Sequence, residues 1–147
     1  MSNTNNQRYG GLMLYRDVMD FPLIQCIALA GDSTPLGLGD PVTINSGGAT
    51  NIGAGPTVMA VTRANGTSNP LYGVVEAILP ILEGSGNANL STNSRLASTA
   101  QYLLIRPGSH YDWYAIQDDG SASLTAANIG NNAEMTISNC DANSGQS

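Results

Sequence analysis

No stretch of this chain carries a helical period of useful length; instead, apolar runs of five to nine residues alternate with segments rich in Gly, Asn, Ser and Pro. That punctuation belongs to an all-β fold, because short Val-, Ile- and Tyr-rich runs bounded by turn residues satisfy a pleated sheet and its tight connections. The expected strands are "LIQCIALA" (23–30), "PVTIN" (41–45), "TVMAVTR" (57–63), "LYGVVEAIL" (71–79), "QYLLIR" (101–106), "YDWYAIQ" (111–117) and "EMTIS" (134–138). "GDSTPLGLGD", "SGGATNIGAGP", "RANGTSNP" and the long "EGSGNANLSTNS" lie between them. One helical turn is expected at "LTAANIG", where Thr125 caps, Ala126 and Ala127 favour helix, and Gly130 supplies a left-handed end. The expected architecture is a compact β-barrel or β-sandwich with one short helical turn and an extended N-terminal arm.

Alternation sorts the faces. In 134–138, Met135 and Ile137 are apolar between Glu134, Thr136 and Ser138, which marks one buried and one wet face. In 71–79, Leu71, Gly73, Val75, Ala77 and Leu79 form the apolar face, opposite Tyr72 and Glu76. "LIQCIALA" and "QYLLIR" are apolar on both sides, which requires either a central position or a face covered by another copy. The second is favoured here, because a small β domain has few wholly interior strands. It places an oligomer contact at Ile24, Gln25, Tyr102 and Leu104.

A length of 147 residues suits one domain, divided into an arm over 1–20 and a β domain over 21–147. The arm carries Tyr9, Leu12, Leu14, Tyr15 and Phe21 among glycines and charges. Large apolar side chains in so polar a segment need a partner surface; the alternative is an edge strand laid on the chain's own core. Five arginines (Arg8, Arg16, Arg63, Arg95, Arg106), no lysine and a net charge of −6 argue against nucleic acid as a partner. Charged residues make up only 11%, so the surface is mostly neutral and polar, a composition suited to packing against other protein. The N-terminal "MSNTNNQRYGG" has no signal-peptide pattern, and the longest apolar runs are too short for a membrane helix, so no membrane partner is expected. Cys26 and Cys140 read as two separate reduced thiols.

Chemistry-bearing motifs are weak. "SHYDWYAIQDDG" gathers Ser109, His110, Asp112 and Asp118 beside three aromatics, but adjacent strand residues point to opposite faces, so no catalytic set converges there. A strand ending in a "DDG" turn accounts for more of these residues. One His and two distant Cys do not make a zinc site, and "DDGSAS" lacks the alternating acids of a calcium loop. "GLGDPV", "GAGPTV" and "GSGNAN" fail as phosphate loops, and the glycosylation patterns at "NGT" and "NLS" are common by chance. Neither catalysis nor a cofactor or metal is expected. The aromatics Tyr111, Trp113 and Tyr114 make one alternative, a carbohydrate-stacking platform in a tail-associated module.

Three segments in order, "YGVVEAILP" (72–80), "STAQYLLIRPGSHYDWYAIQDDG" (98–120) and "LTAANIGNNAEMTI" (124–137), carry a further pattern. They resemble the C-terminal half of head decoration (cement) proteins of tailed bacteriophages, with Tyr102, Tyr114, Ile116, Gln117, Asp119, Ala126, Ala127, Gly130, Asn132 and Ala133 at pattern positions. Gln101 stands where the pattern has Arg, and Asn128 replaces an acidic residue; the N-terminal half has no counterpart. The resemblance implies a virion structural protein on the outer surface of the capsid, assembled in the host cytoplasm. It further implies a homotrimer whose partner is the major capsid protein.

Overall fold

The computed structural model describes residues 12–16, 22–53, 55–64, 70–80, 93–108, 112–115, 125–130 and 140, with strands 12–16 and 112–115 described by their backbone. The expected "EMTIS" strand lies outside this set, as do Tyr9, Phe21, Ser109, His110, Tyr111 and Asp118. Within it the fold is all-β. The strands are β1 (Leu12–Arg16), β2 (Ile24–Ala28), β3 (Leu36–Gly37), β4 (Pro41–Thr50), β5 (Val58–Arg63), β6 (Gly73–Ile78), β7 (Ser94–Arg95), β8 (Gln101–Pro107) and β9 (Asp112–Ala115). A three-residue 3-10 turn spans Ala126–Asn128, and Gly130 behind it has a φ of 85°.

Five strands close a barrel in the order β2-β5-β4-β6-β8. All pairs are antiparallel except β2 with β5. Inside sit Cys26, Ala28, Val42, Val61, Val75, Ile78, Leu103 and Ile105, joined by Leu36 from β3. Removing each such Val, Leu or Ile side chain from water contributes roughly 1.5–3 kcal/mol, the main favourable term for a barrel this size. β2 and β8 are each paired on both edges within this one chain.

Strict alternation fails in β6. Val75 pairs with Ile105 and Ala77 with Leu104, so a bulge at Glu76 inserts one residue and reverses the parity behind it. Ile78 is therefore buried in place of the expected Ala77 and Leu79, while Leu71 is exposed. β4 also runs further than "PVTIN": it passes through "SGGAT", where four residues (45–48) stand against the single Ala60 before pairing with β5 resumes at Ala49.

Strand directions give the barrel two unlike ends. β2, β5 and β6 begin at one end and β4 and β8 finish there. At the other end, the connections 29–40 and 79–100 carry β3 and β7, which pair with each other and drive Leu36 into the core.

Candidate interaction surface

The plugged end is stitched by a buried cation. Arg95 on β7 is fully buried, and four of its five N–H donors meet main-chain carbonyls. Nε donates to Thr99 at 2.7 Å, Nη1 to Thr34, and Nη2 to Leu29 and to Asp32, the last at 2.8 Å. Asp32 extends the network, its carboxylate accepting the Thr62 hydroxyl at 2.7 Å and the Thr34 amide at 2.9 Å. Burial lowers the Arg95 pKa, with Asp32 and then Cys140 acting in the opposite direction. Asp40, also fully buried, accepts the Gly37 amide at 2.8 Å, and Gln101 donates to the Leu79 carbonyl at 2.9 Å. These groups are bound within the chain, chiefly to its backbone, so this constellation holds loops. Cys26 is unreactive: burial pushes its thiol pKa up to about 11, and it stays protonated at neutral pH. Both cysteines are buried thiols outside any disulfide, and Cys26 lies in β2. Among the described residues, no three His, Cys, Asp or Glu side chains group as a metal site, and no helix is long and apolar enough to cross a membrane.

The open end is different in kind. Leu23, Ile24, Ile44 and Leu71 are exposed there. Ile44 is brought to the level of Leu71 because Thr43 Oγ1 donates to the Pro70 carbonyl at 3.0 Å and the Tyr72 amide to the Val42 carbonyl at 2.8 Å. No charged residue occurs in 22–24, 44–53, 55–58, 70–73 or 107–108, the segments that form this rim. Of these four, sequence assigns only Ile24 to a contact, and it places Leu71 on a buried face. The signal that marks two of them is a repeated Pro-Leu pair, 22–23 and 70–71, placed just before the two strands β2 and β6.

The same end carries the arm. β1 pairs antiparallel with β9, setting Leu12 opposite Ala115, Met13 opposite Tyr114, Tyr15 opposite Trp113 and Arg16 opposite Asp112, with a register shift at Leu14. Two regions that sequence treats separately, the arm and the aromatic cluster, thus share one ladder. Seven residues separate Arg16 from Ile24, and six separate Ile105 from Asp112, while Ile24 and Ile105 pair in the barrel. β1 thus precedes β2, and β9 follows β8, by nearly equal lengths of chain, which attaches this separate two-stranded sheet to the barrel at the same end. Part of the expected arm is a strand with a partner in its own chain.

The four residues expected at an oligomer contact do not share one face. Gln25 pairs with Leu104, and Tyr102 with Ile27, which places Gln25, Leu104 and Tyr102 outside, whereas Ile24 has the parity of the core residue Cys26 and emerges only at the rim. Tyr102 is occupied by its own chain: its hydroxyl accepts the Ile52 amide at 2.9 Å and donates to the Pro56 carbonyl at 3.1 Å. Leu104 and Gln25 are half-buried. Beside them, Arg106 makes a two-point ion pair with Glu76, at 3.2 Å and 3.0 Å.

No family model, curated protein or solved structure matches this chain.

Proposed function

We propose that this chain is a virion structural protein that decorates the outer surface of a tailed-phage head and stabilises it by bridging major capsid subunits. The observation that carries the reading is the uncharged barrel end at Leu23, Ile24, Ile44 and Leu71, from which the β1–β9 ribbon extends. A two-stranded ribbon alone is marginal in water, and an apolar rim without charges meets a neutral protein surface at no ionic desolvation cost. The order of the described segments also fits the resemblance: its three words hold β6, β8 with β9, and the 3-10 turn.

The mechanism is mechanical. Each subunit that covers about 800 Å² of shell adds area that must be lost before neighbouring capsid subunits separate. Binding the assembled shell, and not its separated subunits, shifts the equilibrium towards the intact head by mass action. Three copies joined at a threefold position engage together and leave far more slowly than one. The arm residues Tyr9, Leu12, Leu14, Tyr15 and Phe21 belong to this contact, and Gln25 and Leu104, which lie side by side on the outer face of β2 and β8, to the contact between copies.

Deletion of residues 1–20 tests the arm. Retention on expanded, undecorated heads should fall sharply against the full chain, and undiminished retention removes the arm from the contact. The carbohydrate-binding alternative is favoured by one observation, the register that sets Tyr15 opposite Trp113. It requires the single Trp to be quenched freely by acrylamide and protected by an oligosaccharide, whereas the shell reading requires protection by heads.

A further inference from the structure

We propose that the β4–β5 connection, described at residues 51–53 and 55–57, is a strap closed over the outside of the barrel by one latch, the Tyr102 hydroxyl. This goes beyond the shell-binding reading and does not depend on it.

Ile27 faces away from the interior cluster, since it alternates with the core residues Cys26 and Ala28, yet it is only 1% exposed. Its neighbours across the ladders are Tyr102 on β8 and Ala60 on β5, and Ala60 is also fully buried. An apolar strip on the outer wall is thus covered. Tyr102 reaches across it to the strap, taking the Ile52 amide and giving its proton to the Pro56 carbonyl. The strap closes on itself through the Gly55 amide and the Ile52 carbonyl, 2.9 Å apart.

Among the described residues, those two bonds to one phenol oxygen are the hydrogen bonds that tie the strap to another strand. Gly55 is shaped to the latch. A Cβ at that position would lie 2.3 Å from the Tyr102 hydroxyl, so any side chain there displaces the tyrosine or the strap. A cover held at a single point has two states: closed, with Ile27 and Ala60 hidden, and open, with that strip presented as apolar surface. Opening breaks no ladder bond of the barrel.

The test compares the full-length wild type with Tyr102→Phe, which keeps the ring and removes the hydroxyl, and with Gly55→Ala, which crowds it. Amide hydrogen exchange is read at Ile52 and, as the barrel control, at Leu103 and Ile105; a hydrophobic dye such as anilinonaphthalene sulfonate reads the uncovered strip. In both variants Ile52 should exchange about tenfold faster or more, the scale of one lost net hydrogen bond, with Leu103 and Ile105 unchanged and dye fluorescence raised. Unchanged exchange at Ile52 in Tyr102→Phe overturns the proposal, because something else then holds the strap. Equal acceleration at Leu103 and Ile105 overturns it too, since the hydroxyl would then support the whole barrel and latch nothing. Faster exchange at Ile52 without dye binding refutes the covered strip.

Discussion

The two ends of the barrel are closed by opposite means. At one, a fully buried arginine, a buried aspartate and a buried glutamine are spent on main-chain partners, and Leu36 is pushed into the core as a plug. At the other, the described segments 22–24, 44–53, 55–58, 70–73 and 107–108 carry no charge, four large apolar residues stay exposed, and the chain leads on to the β1–β9 pair, in which Arg16 stands opposite Asp112. Exposed leucines alone do not separate the ends, because Leu38 and Leu96 flank the plug as well. Electrostatics separates them. A buried guanidinium must find every acceptor inside the chain, which makes the plugged end self-sufficient. A rim without charges is covered by another protein at no ionic desolvation cost.

Substitutions should divide along that line. The largest effect is expected from Arg95→Met, which leaves the carbonyls of Leu29, Asp32, Thr34 and Thr99 without their donor in a dry site. Breaking such a buried set costs about 3–5 kcal/mol, read as a lower midpoint in urea, and a loss under about 1 kcal/mol would break the contrast between the ends. Gly73→Ala strikes the barrel wall below the open rim. Its Cβ would stand 2.2 Å from the Arg106 carbonyl oxygen, an atom of the neighbouring strand that cannot step aside, and about 1–3 kcal/mol should be lost.

An alkaline titration sharpens the comparison at the core between the ends. Because the folded pKa of Cys26 is raised to about 11, the unfolded chain releases this proton first as pH rises. The stability contributed by the protonated thiol is complete below the unfolded value near 9, declines above it, and is lost through the folded value. Cys26→Ala should flatten that slope, and an unchanged slope would assign it elsewhere. Glu76→Gln comes next, since the partly exposed pair with Arg106 contributes only about 0.2–1 kcal/mol, measurable as a salt-sensitive difference. Ile44→Asn with Leu71→Asn should change the folding free energy least, by about 0.5 kcal/mol each, because both side chains already meet water.

The plugged end was nearly illegible in the sequence, and the reason is physical. Arg95 reads as one of five scattered arginines, yet the carbonyls of Thr34 and Leu29 that it binds lie 61 and 66 residues away, a distance over which no local pattern operates. The two-residue strands β3 and β7 exist because that cation and Leu36 hold them, so propensity offers no trace of them. The barrel strands were legible, since alternation and turn residues act within a few positions. Where the alternation misled, at Glu76, a bulge changed the parity that period two assumes constant. The two-sided apolarity of "LIQCIALA" and "QYLLIR" meets the core on one face, and on the other it is covered in part within the chain, since the outward Ile27 is only 1% exposed. At the open end, the Pro-Leu pairs were visible, but their meeting on one rim depends on strand direction, which composition does not carry.

Co-sedimentation with expanded, undecorated heads, run side by side for the full chain and for the variant carrying both Ile44→Asn and Leu71→Asn, tests the account most directly. The full chain should pellet with the heads while the variant, still folded, stays in the supernatant. If both pellet alike, or if neither does, the neutral rim is not the surface by which this protein holds a shell.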